Sequence, residues 1–339
     1  GSLLATMADA GGMPFDLPGG WGAATATPGA VASQPTTSAG GVLPVLPPTD
    51  TPLPIFMTGR VAFASALGGD FEIYVLDVAS GTLTQLTDND AQDRWPAWSP
   101  DGLQIVFTSD RTADDDLFVM NADGSNQVQL TTAEAADRAP AWSPDGSRVI
   151  FSRETAAGAS LFTFEVACMA ELGACEDALA QLTADAADFF PAYSPDGVRL
   201  AYNSAQFPGL PSRIAVGDAG GENCTLLEGS GASDLYPVWS PDGARILFVS
   251  NVFGDFDLWL MTVDGDALTQ ITKNTGYDVE PDWIPGGPYI VFASIRGSDE
   301  DFELYVMRAD CAAPDDGCED DLFQLTDNDV DDVNPAWAP

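Results

Sequence analysis

A seven-residue phrase, Pro-Ala-Trp-Ser-Pro-Asp-Gly, constrains this sequence more than any other feature because it recurs along the chain. The phrase is complete at 96–102 and 140–146, altered copies stand at 191–197, 237–243 and 281–287, and a truncated copy stands at 334–339. Counted from the aromatic residue of each copy, the intervals are 44, 51, 46, 44 and 54 residues. These aromatic residues are Trp98, Trp142, Tyr193, Trp239, Trp283 and Trp337. A period of this length, with several short strands in each unit, is typical of β-propeller blades.

Each unit contains four segments with the composition of short β-strands. The first is Pro-Ala-Trp, and it ends in a Ser-Pro-Asp-Gly turn in which Pro presets φ and Gly supplies a positive φ. The second alternates apolar residues on one face, as Ile105 and Phe107 do. The third resembles Asp-Leu-Phe-Val-Met at 116–120, and the fourth ends in Leu-Thr, as at 130–131.

The first and last units are incomplete in complementary ways. Segments 60–65, 72–77 and 83–87 supply the second to fourth strands without a preceding Pro-Ala-Trp, whereas Pro335, Ala336 and Trp337 supply that strand alone. Pairing the two would close a ring and remove the open sheet edges. The sequence therefore predicts an all-β fold over residues 55–339, a six-bladed β-propeller closed by its C-terminal strand.

Residues 1–54 differ from the rest in composition. They are rich in Gly, Pro, Ala and Thr and contain no Lys or Arg, which predicts an extended N-terminal tail. The first part of this tail also carries large apolar side chains, which disordered tails usually lack. We expect these side chains to anchor the tail on a partner or on a neighbouring subunit. They are Leu3, Leu4, Met7, Met13, Phe15, Leu17 and Trp21.

The repeat resembles that of the TolB-like β-propeller family. The resemblance rests on Asp-x-x-Pro-x-Trp-Ser-Pro-Asp-Gly, followed by Ile-x-Phe, Asp-Leu-(Phe/Tyr/Trp)-x-Met and Leu-Thr, and covers about 56–339. The fourth unit departs most, because Arg-Ile-Ala-Val at 213–216 replaces Asp-Leu-Phe-Val. The TolB protein that names the family has an additional N-terminal α/β domain, which nothing in residues 1–54 resembles. The resemblance therefore implies the fold, and not the role of TolB in an envelope complex.

The charge balance excludes several classes of partner. The chain has 12 Lys and Arg against 52 Asp and Glu, a formal net charge of −40, and no His. Such a negative field repels nucleic acids and anionic membrane surfaces, and favours cations or basic peptides. No run of 18 apolar residues is present, so no membrane-spanning segment is predicted.

The sequence offers little for catalysis. Without His, the chain lacks the commonest general base and metal ligand. The resemblance adds that enzymes of the family carry a separate hydrolase domain or His-based metal sites. We therefore expect a non-catalytic protein without a cofactor. A hydrolase that uses paired carboxylates is the remaining enzymatic alternative, because acidic residues are abundant.

An aspartate stands three residues before the proline of each copy of the phrase. In a propeller, the loop that leads into each inner strand lies on one face beside the central channel. These carboxylates therefore predict a ring that binds a cation or the basic group of a peptide. The structural alternative is that each carboxylate accepts hydrogen bonds within its own loop. The six residues are Asp93, Asp137, Asp188, Asp234, Asp278 and Asp332.

Two of these loops, 88–93 and 327–332, are especially acidic and would flank the closing blade. Oxygen ligands at alternating positions suit Ca²⁺, although neither loop has the Gly and the distal Glu of an EF-hand. We consider a calcium site and, as the alternative, a solvated acidic surface. The candidate ligands are Asp88, Asp90, Asp93, Asp327, Asp329 and Asp332.

Four of the five cysteines form two equally spaced pairs, Cys168 with Cys175 and Cys311 with Cys318. Each pair interrupts its unit between the third and fourth strands. We expect two local disulfides, which predicts an oxidising compartment, and four unrelated thiols are the alternative. Zinc is disfavoured because the chain has no His and no Cys-x-x-Cys. The fifth thiol, Cys224, is expected to be free and buried.

Together these features favour a secreted, non-catalytic interaction or structural protein. The chain would lie outside the cell, in a periplasm or on a cell surface. Its tail would dock on a neighbouring copy, which leads to an extracellular polymer, or on another protein. The alternative is that the tail docks back on its own propeller. The main alternative is a receptor for a cation or a basic peptide at the acidic channel mouth.

Overall fold

The structure is a computed structural model that describes residues 58–155, 158–170, 174–184, 187–205, 211–273, 276–296, 301–310 and 322–339. In these ranges, 24 strands form six four-stranded antiparallel sheets. Two short helices, Val166–Ala170 and Ala174–Asp177, are the only helical segments there. The prediction of an all-β, six-bladed propeller is confirmed. The tail 1–54 and its predicted anchors lie outside the described residues.

The strands follow one order in every blade, from the inner strand at the channel to the outer strand at the rim. Blade 1 contains β24 (Asp332–Trp337), β1 (Arg60–Ser65), β2 (Glu72–Asp77) and β3 (Thr82–Gln85). Blade 2 contains β4 (Asp93–Trp98), β5 (Gln104–Ser109), β6 (Asp116–Asn121) and β7 (Val128–Gln129). Blade 3 contains β8 (Ala136–Trp142), β9 (Arg148–Thr155), β10 (Gly158–Glu165) and β11 (Ala180–Gln181).

The remaining blades repeat this arrangement. Blade 4 contains β12 (Ala187–Tyr193), β13 (Arg199–Ala205), β14 (Arg213–Asp218) and β15 (Thr225–Leu226). Blade 5 contains β16 (Asp234–Trp239), β17 (Arg245–Ser250), β18 (Asp257–Thr262) and β19 (Thr269–Gln270). Blade 6 contains β20 (Asp278–Trp283), β21 (Tyr289–Ser294), β22 (Glu303–Arg308) and β23 (Phe323–Gln324).

The C-terminal strand closes the ring as predicted. β24 pairs antiparallel with β1, so that Trp337 lies opposite Val61 and Asp332 lies opposite Ser65. The first blade thereby gains the inner strand that its own sequence lacks. The closure pairs β1 on both sides, with β24 and with β2, and gives blade 1 the same four strands as the other blades.

Tryptophans of the repeated phrase join neighbouring blades. The indole N–H of Trp98 donates to the carbonyl of Ala336, that of Trp142 to Ala97, and that of Trp239 to Ala192, at 3.1–3.2 Å. In each case the acceptor is the alanine that directly precedes the aromatic residue in the inner strand of the preceding blade. The core within the blades is formed by side chains of the second and third strands. Its largest fully buried members include Phe63, Phe107, Phe151, Phe248 and Phe292.

Each inner strand begins at the repeated aspartate or one residue before it, rather than at the proline, and it contains a β-bulge. In blade 2, Arg94 pairs with Thr108 and Ala97 with Val106, so two residues of β4 oppose one residue of β5. The residue before each proline is left-handed, with φ between 50° and 53°. This conformation is uncommon for residues other than glycine. The six bulge residues are Trp95, Ala139, Phe190, Tyr236, Glu280 and Asn334.

The Ser-Pro-Asp-Gly turns form a ring on one face of the propeller, which we call the turn face. Their glycines have positive φ, as the sequence predicts, for example 68° at Gly102 and 70° at Gly146. Each of these glycines faces the proline of the preceding turn, so consecutive turns are neighbours around the ring. The pairs are Gly102–Pro339, Gly146–Pro100, Gly197–Pro144 and Gly243–Pro195.

The cysteines only partly follow the predictions. Cys168 and Cys175 form a disulfide between β10 and β11, and Cys175 packs in the core beside Leu130 and Phe151. The pair Cys311 and Cys318 lies outside the described residues. The prediction that Cys224 is buried is wrong, because this free thiol is exposed. It belongs to the hairpin before β15, an outermost strand that no further strand covers.

Candidate functional site

The six repeated aspartates lie inside the blades and not around an open mouth. Each is at most 2% exposed, and its carboxylate is bonded mainly within its own blade. Arg153 binds both oxygens of Asp137 at 2.7 Å. Arg296 and the Ser294 hydroxyl both donate to Asp278. This burial agrees with the alternative that the carboxylates accept hydrogen bonds within the fold. Cation binding by the set stays a prediction. The set is Asp93, Asp137, Asp188, Asp234, Asp278 and Asp332.

The two acidic loops share one geometry, built around an asparagine. The backbone N–H of Asn89 donates to Glu72, and its side-chain amide donates to Asp93 at 2.8 Å. In the second loop Asn328 makes the same contacts to Glu303 and Asp332. Each loop therefore holds a buried carboxyl pair that contains one glutamate and one aspartate.

Electrostatics within these pairs favours the neutral form of the glutamates. Burial raises the pKa of Glu72 and of Glu303 to about 8, and the charge of the paired aspartate adds to the rise. Burial also raises the pKa of Asp332 to about 6. The other candidate calcium ligands are exposed, namely Asp88, Asp90, Asp327 and Asp329. Among the described residues, no three acidic or thiol groups are placed together to hold a metal ion, and calcium binding stays a prediction.

A cavity of about 430 Å³ occupies the centre of the propeller, and this site was not predicted from the sequence. The six bulge residues line it, together with the phrases that follow them. Pro100, Pro285 and Pro339 of the turn face also contribute to its wall. The cavity therefore extends from the level of the bulges to the turn face, where it opens.

The bulge residues give the cavity two chemically different sides. Trp95, Phe190 and Tyr236 form an aromatic side, with ring centroids 6.5 Å and 4.1 Å apart along this series. Glu280 and Asn334 form a polar side. The backbone N–H of Asn334 donates to Glu280 Oε2 at 2.7 Å, and the Asn334 carbonyl oxygen Oδ1 accepts from the Trp95 N–H at 3.3 Å.

The charged residues that line the cavity are both acidic, Glu280 and Asp282. Burial raises the pKa of Glu280 to about 7, although the Asn334 N–H and the Arg94 charge favour its ionised form. Burial also raises the pKa of Asp282 to about 6. The Asp282 carboxylate accepts from the N–H groups of Trp283 and Trp337 at 2.8 Å, so it joins blade 6 to blade 1.

The turn face around the cavity carries exposed acids and exposed apolar side chains. The serine hydroxyl of each turn donates to the turn aspartate and lowers its pKa. These aspartates, exposed and ionised, are Asp101, Asp145, Asp196 and Asp242. Leu103 and Val198 follow two of the turns and are 65% and 60% exposed. The turn face therefore carries four exposed carboxylates in addition to the buried aspartates of the repeat.

The sequence contains one feature that could have predicted the cavity, which is the variable residue before the proline of each copy. The aspartate, the proline and the aromatic residue of each copy are nearly constant, whereas the residue before the proline is Trp, Ala, Phe, Tyr, Glu or Asn. Variation at a position between constant residues indicates a side chain that the fold itself does not specify. Its inward direction comes from the bulge, which re-aims a side chain.

Comparison with known proteins agrees with this architecture. The chain resembles TolB from Acinetobacter baumannii, with a TM-score of 0.69, 20% identity, and coverage of 83% of this chain and 67% of that chain. It also resembles hydrazine synthase of Kuenenia stuttgartiensis, with a TM-score of 0.67, 16% identity, and coverage of 83% and 46%. A puromycin-hydrolyzing peptidase from Mycobacterium tuberculosis has a TM-score of 0.51 at 20% identity, with coverage of 74% and 44%. At these identities the likeness concerns the fold.

The family assignment rests on the repeat itself. Within the described ranges, neither helix has the length and the apolar composition that crossing a membrane requires. The sequence profile of the TolB beta propeller domain matches residues 54–185 and 182–316, which is most of the chain. Propellers of this family serve protein–protein interaction. The chain belongs to the TolB beta propeller domain family.

Proposed function

We propose that this chain is a secreted, non-catalytic interaction protein that binds a protein partner at its turn face. The observation that carries the proposal is the central cavity, which opens on this face and is lined by the variable residues of the repeat. Exposed Leu103 and Val198 supply apolar contact area beside the mouth. The Cys168–Cys175 disulfide supports an oxidising compartment, such as a periplasm or the cell exterior.

The acids of the cavity support binding better than catalysis. The carboxylate of Asp282 is engaged by two backbone N–H groups, which leaves Glu280 as the acid available to a ligand. Hydrolysis of a glycoside normally uses two such carboxyl groups. A screen of glycoside and peptide substrates with the purified chain tests this part, and turnover that Glu280→Gln abolishes would overturn it.

We propose a neighbouring copy of the chain as the partner, joined through the tail 1–54. β1 begins at Arg60 beside Gly102 of the turn face, so the chain enters the propeller from that face. The apolar anchors in the tail suit the apolar part of the turn face. A head-to-tail contact of this kind produces rings or filaments.

Sedimentation velocity and electron microscopy of the purified chain test this assembly. We expect polymers from the full chain, monomers after deletion of residues 1–50, and weakened assembly in the variant Leu103→Asp/Val198→Asp. The matched control is Phe253→Asp, because Phe253 is 72% exposed in the β17–β18 hairpin on the opposite face. A monomeric full chain, or polymers that survive the deletion, would show that the tail does not join copies.

A further inference from the structure

The ring of neighbouring turns on the turn face is interrupted at blade 6. In blades 2 to 5 the turn glycine faces the proline of the preceding turn, as Gly146 faces Pro100. In blade 6, Ile284 and Gly286 replace the serine and the aspartate of those turns. Gly286 has a φ of 79°, and a side-chain atom placed on it would meet no described heavy atom within 4 Å. The turn of blade 6 therefore has open space beside it.

A groove of about 700 Å³ lies beside this turn, between blades 6 and 1. Its apolar walls come from the turn of blade 6, from the start of β21 and from the end of the chain after β24. These wall residues are Ile284, Pro285, Pro288, Tyr289, Trp337 and Pro339.

The groove carries little charge for a protein this acidic. Among the described residues, the charged side chains that line it are Arg60 and Asp77, which have opposite signs. The guanidinium of Arg60 lies over the Trp98 ring at 4.7 Å, and Asp77 accepts from the N–H and the hydroxyl of Ser80. Both charges are thus engaged by other residues, and the groove suits an uncharged, apolar occupant.

The polypeptide enters the propeller through this groove. Thr58, the first described residue, lines it, and a side-chain atom on Gly59 would approach the indole nitrogen of Trp337 to 2.5 Å. The three residues before Thr58 reach at most about 11 Å when fully extended, so they lie either in the groove or in the water around it. These residues are Ile55, Phe56 and Met57. All three are large and apolar, which favours the groove.

We propose that residues 55–57 fill this groove within their own chain and cover the junction between blades 6 and 1. Their uncharged side chains match its walls, and their connection to Thr58 keeps the entropy cost of the contact small. The contact forms a second closure of the ring, because it joins the start of β1 to the turn of blade 6, whereas β24 joins β1 by strand pairing. The inference is independent of the proposed partner, since it concerns residues outside the tail 1–54.

Two other occupants of the groove would give different results. The apolar anchors of a neighbouring copy's tail would place a second chain in the groove. An unrelated apolar peptide would leave residues 55–57 in the solvent. Photo-crosslinking separates these cases.

Photo-crosslinking of the full chain tests the proposal. Benzoylphenylalanine, a photoreactive analogue of phenylalanine, replaces Phe56 or, as the matched control, Phe15 of the tail. We expect position 56 to crosslink to residues 284–289 of the same chain, so that the product keeps the mass of one chain on a denaturing gel. Crosslinks from position 56 to a second chain, or none to residues 284–289, would overturn the proposal. Crosslinks from position 15 to residues 284–289 would overturn it as well.

Thermal unfolding of the full chain provides an independent measurement. Phe56→Asp places a charge in the groove and should lower the Tm by roughly 4 °C or more, whereas Val45→Asp should leave it unchanged. Ile284→Ser introduces the residue of the other turns, and its effect should shrink once Phe56→Asp is present, because the two side chains share one contact. Additive Tm changes, or equal effects of Phe56→Asp and Val45→Asp, would contradict the contact.

The results for this segment and for the proposed partner can be told apart. Deletion of residues 1–50, which tests the assembly, leaves residues 55–57 in place. Loss of the crosslink from position 56 overturns this inference alone, and polymers that survive the deletion overturn the proposed assembly alone.

Discussion

The buried glutamates of the two asparagine loops make the stability of this propeller depend on pH. Folding raises the pKa of Glu72 and Glu303 from 4.5 to about 8. Between these values the folded chain holds two protons that the unfolded chain has released. The stabilisation is therefore complete below about pH 4.5 and is lost as the pH rises towards 8.

The size of the effect follows from the same linkage. Each group that is protonated only in the folded state lowers the unfolding free energy by about 1.4 kcal/mol for every unit by which the pH rises. The two glutamates together contribute a slope of about −2.7 kcal/mol per pH unit, which for a chain of this size corresponds to a Tm decrease of roughly 4–5 °C per unit. Other buried acids add to the loss over part of this range, because burial raises the pKa of Asp257 and Glu280 to about 7 and that of Asp282 and Asp332 to about 6. The turn aspartates, whose pKa is lowered, titrate below this range and do not offset the slope.

Thermal unfolding followed by circular dichroism between pH 5.5 and 7.5 measures this slope. The variant Glu303→Gln should match the wild type below about pH 4.5, unfold at a higher temperature near pH 7.5, and show a slope that is less steep by about 1.4 kcal/mol per pH unit. Its amide oxygen still accepts from Asn328, and its NH₂ group donates to Asp332. Asp114→Asn is the control and should keep the wild-type slope. A Tm that stays constant or rises with pH would refute the reasoning.

Three further variants test the contacts between and within blades. Trp142→Phe removes the indole donor to the preceding blade and should lower the unfolding free energy by about 1 kcal/mol in urea titration. Arg153→Met leaves the buried Asp137 carboxylate without its cation and should lower the unfolding free energy by about 3–5 kcal/mol. An unchanged unfolding free energy in the same titration would contradict a stabilising role of this ion pair. Replacement of both Cys168 and Cys175 by alanine should cost roughly 2–3 kcal/mol for the lost loop constraint, and a variant as stable as the wild type in differential scanning calorimetry would contradict this estimate.

The repeat made most of the fold predictable. Proline, glycine and tryptophan have fixed roles in the turn and at the blade contact, so their spacing located the blades. The separation of Pro335–Trp337 from the other strands of its blade predicted the closure, which the pairing of Trp337 with Val61 confirms. Such features depend on local sequence and on period, and both can be read from one chain.

The candidate site was less predictable because it depends on side-chain direction. The repeated aspartates were expected at the mouth, yet each lies in the first two residues of a strand and is buried in its blade, as Asp137 shows by binding Arg153. The bulge then directs the next variable residue, such as Glu280, into the cavity. A one-residue change of strand register exchanges the two faces, so the position of a residue in the phrase does not reveal its direction.

Site-specific photo-crosslinking on secreting cells tests most directly whether the turn face binds the partner. A photoreactive amino acid replaces Leu103 on the turn face or, as the control, Phe253 in the β17–β18 hairpin on the opposite face. We predict a discrete crosslinked species from position 103, which mass spectrometry should assign to a second copy of this chain through its residues 1–54. Crosslinks from position 253 alone, or equally from both positions, would contradict the assignment of the turn face.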